Sequence, residues 1–148
     1  MSLQKRIDEE IRAAMLAKEA DRLSTLRLLK SAITYAQIEK KTNELSDADV
    51  IAIIHKEAKK RRDSIEQFRT AGRTELVDKE TRELNILETF LPKPLSPEEL
   101  DQLIRATIQE LGATSKKEMG AVVKAVQAKA AGRADGKAIS GVVGKLLP

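Results

Sequence analysis

Gly132-Arg133-Ala134-Asp135-Gly136-Lys137-Ala138 is the stretch of this chain that comes nearest to a chemical motif. A phosphate-binding P-loop needs four residues between its glycines, then a lysine and a hydroxyl residue, all after a strand. Here three residues separate the glycines, alanine follows the lysine, and a helical pattern precedes the turn. Nucleotide hydrolysis is therefore rejected. What remains is a turn entering a helix N-terminus, where exposed amides with Arg133 and Lys137 suit a backbone phosphate. The structural alternative is a plain helix-to-helix turn with Asp135 as its cap.

The preceding segment adds a second basic group. At 100° per residue, Met119, Val122, Val123, Val126 and Ala130 share one face, while Lys117 and Lys124 lie on the opposite one with Gly120 close by. A glycine within a helix costs roughly 1 kcal/mol against alanine. Its presence points to a close approach to the backbone, by another helix or by a sugar-phosphate chain. From Pro92 onward there is no aromatic residue on which single-stranded bases would stack, which favours a structured RNA gripped by shape and phosphates.

The other candidates have structural explanations. His55 is the single histidine, with no serine or cysteine arrangement nearby to activate, and reads as a packing or surface residue. Asp47 and Asp49, and Glu98, Glu99 and Asp101, are paired acids of the kind used as metal ligands or general acid and base. All fall in first helical turns, where acids stabilise the helix dipole. Lys59-Lys60-Arg61-Arg62 looks like a nucleic-acid patch, yet on a helix the four point in different directions. Lys59 to Asp63, Arg62 to Glu66 and Glu57 to Arg61 are spaced for ion pairs on a solvated face. The expectation is no catalytic residue, no metal and no cofactor.

The elements that position these residues read as helices throughout. The first starts after Ser2 with Leu3, Ile7, Ile11 and Met15 as a buried stripe. The second follows Asp21, with Leu23, Leu26, Leu29, Ile33 and Ile38 inside. Ser46 starts a third from about Asp47 to about Ala71, ended by Gly72, and Thr74-Glu75 opens a fourth through Val77, Leu84, Leu87 and Phe90. Three prolines within residues 92–97 form a stiff connector. Ser96 and Pro97 then start a helix ended by Gly112, Ser115 with Glu118 resembles a capping box for the next, and Asp135 caps the last. The expected architecture is all-α: a bundle of about four helices over residues 1–91, a proline-rich linker over 92–97, and a basic three-helix domain over 98–148.

The charge is +4 overall, and its placement matters more than its size. From Ala113 to Pro148 there are 7 Lys plus Arg against 2 Asp plus Glu, a local field that attracts polyanions. No cysteine is present, so disulfides and thiolate metal sites are excluded. No secretory signal or long apolar run is evident, so the expectation is a cytoplasmic protein with no membrane association.

Several segments together carry a family resemblance: Leu26-Arg27-Leu28-Leu29-Lys30-Ser31-Ala32-Ile33, the run from Lys59 to Phe68, Ala71-Gly72-Arg73, Leu91-Pro92, Lys116-Lys117-Glu118-Met119-Gly120, and Gly132 to Lys137. In these the chain resembles the YqeY family, whose C-terminal domain is related to the tail of the B subunit of the tRNA-dependent amidotransferase (GatB). The resemblance implies an N-terminal helical domain followed by a small three-helix domain. It also implies tRNA recognition by that tail and a place in translation, with carbon-nitrogen ligase chemistry using glutamine as amido donor residing elsewhere. The implied nucleic-acid-binding residues are Lys116, Lys117, Gly120, Lys124, Gly132, Arg133 and Lys137. Asp135-Gly136 departs from the asparagine-proline common in the amidotransferase tail. The expected partner is tRNA; a protein partner for the basic tail is the alternative, and the oligomeric state is left open.

Overall fold

Hydroxyl and carboxylate side chains start most of the helices. In the computed structural model, which describes residues 1–148, seven α-helices follow one another with no strand. They are α1 (Leu3–Leu16), α2 (Ala20–Lys40), α3 (Asp47–Thr70), α4 (Thr74–Glu88), α5 (Pro97–Leu111), α6 (Met119–Ala130) and α7 (Gly136–Leu146), with a 3-10 turn, Lys116–Glu118, before α6. The all-α expectation is met. Ser2 accepts from the Lys5 amide, Ser46 from Asp49, Ser96 from Glu99 and Asp135 from Ala138, each removing a donor that has no helical acceptor. α2 begins at Ala20, one residue ahead of Asp21, with no side-chain cap.

Contacts divide the chain into two compact units, Met1–Leu91 and Pro92–Pro148. In the first, Ile7, Leu26, Leu29, Ile33, Val50, Ile54 and Leu87 are wholly or almost wholly buried, each contributing roughly 1.5–3 kcal/mol of apolar transfer. Two expected core positions are not in it. Met15 is 51% and Ile38 72% exposed. The reason is helical phase: steps of four drift about 40° each, so by Met15 the stripe that began at Leu3 has rotated out and Ala14 takes the buried place. Likewise Ala36, not Ile38, continues the α2 stripe.

Polar contacts fix how the loop before α3 meets α1. The buried Gln4 side chain accepts a 2.9 Å hydrogen bond from the Leu45 amide. Asp47, in the first turn of α3, accepts from the Leu3 amide at 2.9 Å, so one carboxylate serves two helix starts. Near the same end of α1, Arg6 lies 5.0 Å over the Phe90 ring and donates to the Thr89 carbonyl, satisfying a group beyond the last turn of α4.

The basic run on α3 departs from the expected solvated face. Arg61 is largely covered, its Nε 3.0 Å from Glu83 and 3.7 Å from Glu80 of α4, in the geometry of an ion pair rather than an aligned hydrogen bond. Arg62 reaches Glu88, also on α4, and Lys60 pairs with Glu57 on its own helix. The arginines meet α4 because α3 and α4 pack together over much of their lengths, which spacing along one helix does not reveal.

The second unit buries Leu100 and Ile104 of α5, Val122 and Val126 of α6, and Ile139 and Val143 of α7, with Leu147 just beyond. Ser96 and Glu99 form a reciprocal capping box with Pro97 in the first turn. Leu95 packs on this core and donates its amide to the Arg133 carbonyl at 2.8 Å, so the later half of the proline segment is part of the unit's structure.

Gln4→Ala leaves the buried Leu45 amide without its acceptor and is expected to lower the unfolding free energy by about 1–3 kcal/mol in urea titration. Met15→Ala, on the exposed side, is expected to stay within about 0.5 kcal/mol of the parent protein.

Candidate nucleic-acid interface

Lys116 and Lys117 sit in the 3-10 turn before α6. That turn is held by Glu118, whose carboxylate accepts from the Thr114 and Ser115 amides, and by the Lys116 amide, which donates to the Pro148 carbonyl at 3.1 Å. Lys124 projects from α6 and Lys137 from the first turn of α7; all four lysines are exposed. None has a carboxylate within ion-pair distance, whereas Lys129 pairs with Glu110. The segment's two acids are engaged by backbone amides: Glu118 as above, and Asp135 by the Ala138 amide at 2.7 Å. The positive excess read from the sequence is thus carried by lysines that nothing in the unit neutralises.

Gly120 is exposed, and a Cβ built there meets nothing within 4 Å. Of the two explanations for this glycine, packing of another helix of the unit is excluded. Gly120, Lys124, Gln127 and Ala131 run along one exposed row of α6. The Gln127 amide nitrogen lies 3.0 Å from the position of a Cβ on Gly136, so this row reaches the start of α7. Ala131 and Gly132 then turn the chain with φ of 49° and 83°, and Gly132 adopts the second of these without the steric cost a Cβ would carry.

Arg133 has a structural task. Its Nε donates to the Lys93 carbonyl at 2.9 Å, its guanidinium lies 3.6 Å from the Glu99 carboxylate, its amide donates to Ala130 and its carbonyl accepts from Leu95. It clasps the proline segment to the turn between α6 and α7. Hydrogen bonds from the Ser96 hydroxyl and backbone, with the charges of Arg133 and Lys93 adding to them, hold the Glu99 carboxyl below its ordinary pKa. At the glycine-flanked turn Asp135 caps the α7 N-terminus, its carboxylate accepting from the Ala138 amide, so one amide that a phosphate would use is taken there. The basic character of this turn therefore rests on Lys137.

Gly141 and Lys145 of α7, outside the lysine and glycine row of α6, form a separate exposed feature that escaped the sequence reading. Both are exposed, and a Cβ on Gly141 also meets nothing within 4 Å. The signal was present in the four-residue spacing Lys137, Gly141, Lys145, which places the three on one helix face. His55 lies on α3, half-buried, outside this surface. No group of three or more His, Cys, Asp or Glu gathers to hold a metal ion, and no helix is long and apolar enough to cross a membrane.

The family described as Yqey-like protein matches residues 4–147. An uncharacterized protein of Schizosaccharomyces pombe is 37% identical over 95 residues, covering 64% of this chain and 76% of its own length. The protein named altered inheritance of mitochondria protein 41, mitochondrial, of Pyrenophora tritici-repentis is 30% identical over 131 residues, covering 87% of this chain and 71% of its own. Its namesake in Vanderwaltozyma polyspora is 29% identical over 107 residues, 71% of this chain but only 58% of that longer protein.

Replacing the open glycine by Gly120→Ala is expected to raise stability by roughly 0.5–1 kcal/mol in thermal or urea unfolding. The lowered Glu99 pKa stabilises the fold above the unfolded-state carboxyl pKa of about 4.3, and this contribution is lost as pH falls through the lower folded value. Parent and Glu99→Gln melting temperatures should therefore differ near neutrality and converge as pH drops below about 4.

Proposed function

The chain belongs to the Yqey-like family, and from that premise we propose that it is a tRNA-binding accessory protein, non-catalytic by itself, whose second unit grips the RNA backbone. The observation that carries this reading is the set of four exposed, unneutralised lysines, Lys116, Lys117, Lys124 and Lys137, around an open glycine row on α6. Each lysine displaces condensed counterions when it meets a phosphate, which supplies affinity without reading bases. Gly120 lets a sugar-phosphate chain come close to the helix backbone, and Gly132 permits the turn that brings Lys137 alongside. Arg133 acts as a positioning residue, keeping that turn in place through Lys93 and Glu99.

The relation of this unit to the amidotransferase tail is part of the proposal. Asp135 caps α7 and Gly136 follows at its first position. An asparagine-proline pair would fill the same two places, since asparagine also caps and proline suits the first helical position. The helix start is preserved by this exchange while one negative charge is added, which weakens phosphate binding at that end. Ligase chemistry with glutamine as amido donor is assigned to other subunits. The cytoplasm expected from the sequence and the mitochondrion in the relatives' names both contain tRNA, so the reading does not turn on the compartment.

The test is electrophoretic binding of the purified chain to total tRNA across a salt titration, against duplex DNA and unstructured RNA. Selective tRNA binding is expected, with the slope of log K on log salt falling by about 0.7–0.9 for each phosphate-contacting lysine removed. Changing Lys116, Lys117, Lys124 and Lys137 together to glutamate is expected to abolish binding while leaving the melting profile cooperative. Gly120→Leu, stable but bulky, is expected to weaken binding with no change in charge. Absence of tRNA binding at low salt, or binding indifferent to the four substitutions, overturns the reading.

A further inference from the structure

Between the start of α5 and the outer face of α7 the second unit has a groove of about 620 Å³. Leu95, Leu100 and Val142 give it an apolar lining, and Ala138 and Gly141 are its smallest residues. Lys137 and Lys145 border it, about 12 Å apart at 1.5 Å per helical residue. Both are exposed and neither pairs with a carboxylate. The one acid in the lining, Asp135, has its carboxylate on the Ala138 amide. Both lysines are open to incoming anions.

The chemistry of the lining narrows what brings them. Aliphatic side chains offer a phosphate backbone no hydrogen bonds and a base no aromatic ring to stack on, so a nucleic acid gains little here. A helix with an apolar stripe gains burial on the half-buried Leu95 and Val142, over a floor made by the already buried Leu100. Gly141, unfavourable in a helix by itself and with nothing packed over it, together with Ala138 allows a second helix to come close. We propose that this groove docks an amphipathic helix of a partner protein, its apolar stripe covering Leu95 and Val142 and its carboxylates, two turns apart, meeting Lys137 and Lys145. This site does not depend on RNA binding, and Gly141 and Lys145 take no part in the proposed RNA surface.

The probe is a fluorescent synthetic helix-forming peptide with a leucine stripe and glutamates about seven residues apart, beside a twin carrying lysine for glutamate, each titrated against the full chain by anisotropy. The glutamate peptide is expected to saturate and the lysine twin to bind at least about tenfold more weakly. Gly141→Leu fills the groove and is expected to cost at least about tenfold in peptide affinity while raising the melting temperature and leaving tRNA binding unchanged; Lys145→Glu should abolish the preference between peptides. No saturable binding, equal binding of the two peptides, or affinity unaffected by Gly141→Leu overturns the proposal. So does a dimer in light scattering that Gly141→Leu dissolves, which would assign the groove to a second copy, or loss of tRNA binding in Gly141→Leu, which would assign it to RNA.

Discussion

Short helices leave up to four amides at each N-terminus without an acceptor, and the way this chain satisfies them organises much of the rest. Ser2, Ser46, Ser96 and Asp135 each take one such amide. Asp47 reaches beyond its own helix to the start of α1, and Gln4 returns the service to the loop before α3. These contacts do more than end helices neatly. They tie the start of α1 to the start of α3 and the loop before it.

The same requirement shapes the surface of the second unit. Over Ala113–Pro148 the only acids are Glu118 and Asp135, and both are engaged by backbone amides. Their charge is used to start helices instead of neutralising neighbours. The exposed lysines are left facing solvent, and exposed lysines with no local counterion are what a polyanion or an acidic helix can exploit. Arg133 shows the opposite case: a cation that on charge alone belongs with the lysines is held by Lys93 and Glu99 and joins the proline segment to the α6–α7 turn.

Two open glycines mark the outer faces of α6 and α7. In a packed helix a glycine is usually explained by its neighbour, but Gly120 and Gly141 have none within 4 Å. Their surroundings differ. Gly120 lies among lysines and small residues on a row leading to the α7 start, a surface suited to phosphates. Gly141 lies in a groove lined by aliphatic side chains, a surface suited to another protein. A single small basic unit can therefore present two chemically different faces without either competing for the same residues, apart from Lys137 at their border.

The sequence by itself determined what depends on neighbours a few residues away. Ser46, Ser96 and Asp135 were readable as caps, Gly112 as a stop, and the segment around Pro92 as a break, because capping and proline geometry are local. The helical class followed from composition, and the basic tail from counting. Tertiary structure decided what depends on residues far apart in the chain. Met15 left the core because small phase errors accumulate along a helix until the partner surface is missed, and Ile38 because its five-residue step from Ile33 turns it about 140° away. Arg61 became covered because Glu80 and Glu83 approach it from α4. Arg133 became a clasp because the chain brings Lys93 and Glu99 back to it. Lysines 117, 124 and 137 were legible as candidates from charge and spacing and Lys116 through the family resemblance, but that no carboxylate meets them, and that Gly120 and Gly141 face open space, are properties of packing. No pairing across such distances is encoded in a local pattern; it follows from which apolar stripes pack together in the folded units.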